Sequence, residues 1–231
     1  MRRRRAIIVF VVGAIILALF GGALPNLIQE SLPVNSTPST PTHNSESEVS
    51  PDANAKEALG VLDTLLIKGR APKAGYERSQ FGDGWALVNG CSTRNIILYR
   101  DFQNPVLDGA CTVIGGTLQD PYSGDMIIFT KEKSSAVQID HVVALSDAWQ
   151  KGAQQLTYEK RKQLANDPLE LLAVSGAQNQ SKSDGDAATW LPKNKAFRCE
   201  YIGRQIAVKQ KYELWVTQAE KQAMTTVLSS C

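Results

Sequence analysis

Val137-Gln138-Ile139-Asp140-His141-Val142-Val143, then Leu171-Leu172-Ala173-Val174, then Asn179-Gln180-Ser181-Lys182: these three stretches decide the reading of this chain. The first alternates as a strand should and carries an Asp-His pair. The second is an apolar strand over Leu169 to Val174, set up by the breaker Asn166-Asp167-Pro168. Asn179 falls in the polar segment beyond it, where a short helix is expected. The chain has two histidines, and His43 sits in a Pro/Ser/Thr-rich tract. His141 is therefore the candidate base for proton transfer near neutral pH.

Hydrolysis of a phosphodiester needs a carboxylate to hold a hard divalent cation, a neutral imidazole to deprotonate water, and further oxygen ligands for the ion. Asp140, His141 and Asn179 supply those three kinds of group. An Asn carbonyl oxygen suits magnesium or calcium and adds no charge. Adjacent strand residues point to opposite faces, so Asp140 and His141 serve one site only if the strand ends or turns there.

Outward from this centre, the 231 residues fit one compact domain with extra segments. Four arginines precede an apolar run from Ala6 to about Ile28, so residues 1–29 are expected to be a signal-anchor or a cleaved signal peptide, with Gly21-Gly22-Ala23 as small residues for a peptidase. Residues 30–51 have the composition of a disordered Pro/Ser/Thr linker. The folded domain is expected at 52–231, outside the cytoplasm, with a transmembrane segment and a membrane contact if the leader is retained. The formal charge is +2; four Arg against Glu30, Glu46 and Glu48 place one unit in residues 1–50 and leave +1 for the domain. A global positive field for nucleic acid is absent. Lys193, Lys195, Arg198, Arg204, Lys209 and Lys211 form either a local basic patch or a solvated helix surface.

All four cysteines, Cys91, Cys111, Cys199 and Cys231, lie in the exported part, and two disulfides are expected. Three pairings are open; Cys91–Cys111 with Cys199–Cys231 is favoured because each closes a local unit. No Cys-x-x-Cys pair supports a thiolate metal site. No phosphate-cradling loop with a Lys-Ser/Thr follows Gly82-Asp83-Gly84, and no Gly-x-Ser-x-Gly elbow is present, which disfavours those two classes. Helices are expected over Ala53–Ile67, Asp147–Lys151, Thr157–Ala165, Phe197–Tyr212 and Thr217–Leu228, the last with Thr217 and Glu220 at capping-box spacing. Strands are expected at Ile96–Tyr99, Cys111–Ile114 and Met126–Thr130.

The joint arrangement of strand with Asp-His, spacer, strand and Asn-x-x-Lys resembles the HNH endonucleases, and within them a secreted, actinobacterial-type branch similar to the GmrSD C-terminal domain. Thr93-Arg-Asn-Ile-Ile-Leu-Tyr-Arg-Asp101, Gly116-Thr-Leu-Gln-Asp-Pro-Tyr-Ser-Gly124, Ile139-Asp-His-Val-Val-Ala-Leu-Ser-Asp-Ala-Trp149 and Asn179-Gln-Ser-Lys-Ser-Asp184 carry the resemblance. It implies an α+β fold: a ββα-metal (His-Me finger) core inside a mixed helical and small antiparallel-sheet domain, stabilised by disulfides. It implies metal-dependent cleavage of DNA, and of RNA as an alternative, by a monomer, with Mg²⁺ as the first choice of ion and Mn²⁺, Ca²⁺ or Zn²⁺ as others. His141 would be the general base, and Asp140 and Asn179 the metal ligands. Glu170 stands where relatives carry an Asn that ties down the loop between the strands, and it joins His141 as a candidate catalytic residue. Arg204, on the helix after Cys199, would clamp a backbone phosphate. The competing reading is a non-catalytic envelope domain that binds nucleic acid or a wall component.

Overall fold

A computed structural model describes residues 51–231. The expected leader (1–29) and nearly all of the expected linker lie outside the described residues. The transmembrane expectation is corrected for the rest: among the described residues no helix is long and apolar enough to cross a membrane.

The described residues open with α1 (Pro51–Thr64), a 3₁₀ turn (Arg78–Phe81) and two short paired strands, β1 (Leu87–Val88) and β2 (Cys91–Ser92). Next come α2 (Thr93–Asp101) and an antiparallel sheet in the order β3 (Gln103–Asp108), β4 (Thr112–Gln119) and β5 (Met126–Thr130). β6 (Val137–His141) pairs antiparallel with β7 (Leu171–Ser175), and α3 (Leu145–Gln150) and α4 (Tyr158–Ala165) lie between them in sequence. α5 (Gly176–Lys182) follows β7 without a gap, and α6 (Arg198–Lys211) and α7 (Gln218–Leu228) close the mixed helix-and-sheet fold.

Period-two alternation places the β6–β7 pair between two cores. Val137, Ile139, Leu171 and Ala173 pack with Ile97, Leu98 and Phe129. Leu172 and Val174 face the larger core, where α1 contributes Leu62 and α6 contributes Ile202 and Ile206. Register fixes Asp140 opposite Leu172 and His141 opposite Leu171. The turn from β7 into α5 needs glycine, because a Cβ on Gly176 would collide with the carbonyl oxygen of Ser135. Ser175 caps the new helix by accepting from the Gln178 amide.

Thr157 caps α4 through the Lys160 amide, and the capping box at Thr217 and Glu220 is complete. The disulfides join Cys91 to Cys111 and Cys199 to Cys231, the favoured pairing. The segment Ile96–Tyr99 is corrected from strand to helix. Ser92 accepts from the Asn95 amide at the start of α2, and Ile97 and Leu98 are fully buried, so capping and burial outweigh the β-preference of the Ile-Ile pair.

Six charges are packed together beneath the helices. Lys151 Nζ lies 2.8 Å from Asp147, 2.7 Å from Asp186 and 2.6 Å from Glu220, Lys209 lies 2.9 Å from Glu220, and Arg70 reaches Asp147 and Asp186 at 2.8 and 2.7 Å. Three cations thus meet three carboxylates. Burial works against the Lys209 charge, yet Glu220 and Asp147 carry its pKa above the ordinary value. This network uses up Lys209. Arg198 binds the Pro192 carbonyl and Lys211 pairs with Asp167, so the expected choice between a basic patch and a solvated helix is replaced by individual tethers.

Candidate active site

β6 stops at His141, and the chain bends through Val142 and Val143, whose amides are held by the Glu170 carbonyl (2.9 Å) and the Glu170 carboxyl (3.1 Å). That stop lets Asp140 and His141, on opposite faces of the strand, both line one cleft of about 580 Å³. Asn179, from the middle of α5, lines it too.

Asp140 is buried and held at both oxygens. Lys182 Nζ donates to Oδ1 at 2.9 Å and to the His141 carbonyl at 2.7 Å, while the Tyr122 hydroxyl donates to Oδ2 at 2.5 Å. Burial, with Asp140 beside it, raises the Tyr122 pKa well above the ordinary value and keeps the phenol a donor. Two oxygens offer about four lone-pair positions, so Asp140 retains acceptor capacity toward the cleft.

The His141 ring is fixed by two contacts. Nε2 lies 3.0 Å from the Ala165 carbonyl, which makes Nε2 the donor and leaves the lone pair on Nδ1. The ring lies parallel to Trp85, with an interplanar angle of 5° and centroids 5.8 Å apart. Burial, aided by the cations of Arg78 and Lys182 and opposed by the Ala165 bond, lowers its pKa to about 3. The imidazole is therefore neutral at ordinary pH, with the Nδ1 lone pair unprotonated. The orienting carbonyl belongs to Ala165, at the end of α4, whereas the Glu170 carbonyl is engaged by Val142.

Asn179 Nδ2 donates to Gln138 Oε1 at 2.9 Å, which fixes the amide and leaves its carbonyl oxygen without a protein partner among the described residues. Arg78 and Arg94 also line the cleft, and neither has an ion-pair partner among the described residues. Arg94 is half-buried, and burial lowers its pKa. Arg100 takes Asp101 at 2.5 Å, and Arg94 lines the cleft. Lys182 balances Asp140, and Lys73 balances Asp184 at 3.0 Å. The cleft thus carries an excess of two positive charges, from Arg78 and Arg94.

Two expected contributors stand elsewhere. Glu170 is fully buried off the cleft wall; burial holds its carboxyl well above the usual carboxylate range and favours the neutral acid, so it secures the bend after His141. Arg204 does not line the cleft: Nε donates to the Leu169 carbonyl at 2.7 Å and a terminal nitrogen to that of Pro168 at 3.1 Å, which orders the approach to β7. The position of Lys182, three residues after Asn179, places it on the same helix face, and that spacing was the available signal for it. Tyr122 and Trp85 carried none, because their partners come from distant segments.

Among the described residues no group of three or more His, Cys, Asp or Glu side chains is arranged to hold a metal ion. Any ion here would rest on Asp140, Asn179 and water.

These features go together with a nuclease-associated domain. The chain belongs to the family described as GmrSD restriction endonucleases, C-terminal domain, whose model matches residues 94–227 and so spans α2 to α7 and every residue of the Asp140–His141–Asn179 set. It is also similar to an "Uncharacterized secreted protein" from Arthroderma benhamiae (strain ATCC MYA-4681 / CBS 112371), 38% identical over 181 residues that cover 77% of this chain and 86% of that protein. No solved structure matches.

Proposed function

We propose that this protein is an endonuclease of the HNH type that hydrolyses phosphodiester bonds in nucleic acid with a divalent metal ion, with β6, β7 and α5 as its ββα-metal core. The observation that carries the reading is the meeting of Asp140, His141 and Asn179 on one cleft that also presents two arginines without an ion-pair partner among the described residues. Family membership supports a nuclease, and the similarity to a secreted fungal protein supports action outside the cytoplasm.

The donor set fits the ion. One carboxylate and one amide carbonyl are hard oxygen ligands, and Mg²⁺ keeps several waters and takes few protein ligands. A structural zinc site, with four N or S ligands, has no counterpart here. A bound ion would neutralise charge on the scissile phosphate and on the departing 3′ oxygen. Arg78 and Arg94 attract and hold the phosphate, Ala165 fixes the imidazole tautomer, and His141 Nδ1 takes the proton from the attacking water. Lys182 and Tyr122 keep Asp140 pointed without closing its remaining lone pairs.

The test is nicking of supercoiled plasmid by the purified protein. Cleavage is expected with Mg²⁺ or Mn²⁺ and is expected to vanish with EDTA. Cleavage that survives chelation would contradict the metal-dependent mechanism, and retardation of DNA without any cleavage would favour a binding domain.

A further inference from the structure

A second, smaller hollow opens off the cleft and shares Arg78, Trp85, His141 and Leu145 with it. Its volume is about 310 Å³, at the lower end of the ~300–1,000 Å³ typical of small-ligand pockets. Phe81, Trp85, Leu145 and Ala165 give it apolar walls, and Gly82-Asp83-Gly84 forms its rim. Gly82 and Gly84 adopt φ of +104° and +118°, a backbone that side chains disfavour, so the rim is bare except for Asp83. Arg78 stands where hollow and cleft join.

We propose that this hollow is a nucleobase subsite: one unpaired base of the strand whose phosphate occupies the cleft inserts beside Trp85. The proposal rests on the nuclease reading and names its substrate class as single-stranded or locally opened nucleic acid. Size excludes a base pair, and the shared walls put the hollow within one nucleotide of His141. Apolar walls with an aromatic ring accept any base, because every base has a π face, while Arg78 stays with the phosphate. The structure offers few polar groups for reading a base edge, so the subsite selects unpaired strands over paired ones and does not select sequence. A duplex, whose bases stay stacked, is cut without this contact and therefore more slowly.

The full chain is assayed with Mg²⁺ on a short single-stranded deoxyoligonucleotide, on the same strand in duplex, and on single strands carrying one abasic residue at successive positions. The single strand is expected to be cut on the order of tenfold faster than the duplex. One abasic position beside the cut should cost about tenfold, and the others little. Ser79→Trp, at an exposed residue that lines the hollow and not the cleft, should remove both differences and leave the duplex rate in place. Equal rates on single strand and duplex, with every abasic position neutral, would overturn the subsite and leave the nuclease standing. No cleavage of any strand would overturn both.

Discussion

His141→Ala is expected to reduce phosphodiester cleavage by about a hundred- to ten-thousand-fold, the usual contribution of a positioned general base. The loss should come in the turnover step, because Arg78 and Arg94 still hold the phosphate, and the fold should survive because the ring lines a cleft. The wild-type pH profile carries a second signature. The reactive form is the neutral imidazole, so the rate falls as pH drops through the imidazole pKa. That pKa is held at about 3 by burial, so no acid limb is expected around the ordinary value of 6.5. Single-turnover rates across this range, on the wild type and the alanine variant, check both statements. A half-maximal rate near pH 6.5 would show a solvated imidazole in place of the buried one.

Lys182→Met should produce the largest loss of stability of any single change near the site. The ammonium is fully buried and donates to Asp140 and to the His141 carbonyl, so its removal strands a buried carboxylate and an unpaired backbone oxygen. Breaking a buried ion pair from one side costs about 3–5 kcal/mol. Urea unfolding should show that loss, and cleavage should fall with it because Asp140 loses its orientation. Pairing the change with Asp140→Asn should recover a substantial part of the stability and none of the activity. A Lys182→Met protein as stable as the wild type would mean that the ammonium does not compensate the Asp140 charge.

The parts of this molecule that were legible in the sequence are those with local signals. The β6 and β7 patterns, the Thr217–Glu220 capping box and the disulfide pairing depend on spacing within short windows. The segment Ile96–Tyr99 misled because β-branched residues favour strands on average, while here a Ser92 cap and the burial of Ile97 and Leu98 dictate a helix. Candidate site residues followed the same division. Asp140, His141 and Asn179 were found from residue chemistry and order, and they line one cleft.

What surrounds them was not legible, since it is assembled from distant segments. Tyr122 is 18 residues from its partner Asp140 and Lys182 is 42 residues away, and Trp85 reaches His141 from the far side of the β3–β5 sheet in sequence. Glu170 was singled out by its position in the motif and Arg204 by its place on the helix after Cys199. The structure uses them on the backbone instead, one at the bend after β6 and one at the approach to β7. Lys209 shows the same limit: a helix lysine followed by Gln210 and Lys211 reads as solvated until the carboxylates of Glu220 and Asp147, on two other helices, are placed around it.

The proposed mechanism needs Asp140 and Asn179 to bring their oxygens to one divalent ion within reach of the His141 base. The decisive measurement is anomalous diffraction from crystals of the protein grown with Mn²⁺. A manganese peak is expected in the cleft, about 2.1 Å from an Asp140 carboxylate oxygen and from the Asn179 carbonyl oxygen, with water completing the shell. A peak bound elsewhere, or an Asp140 still engaged by Lys182 and Tyr122 alone at saturating Mn²⁺, would contradict it.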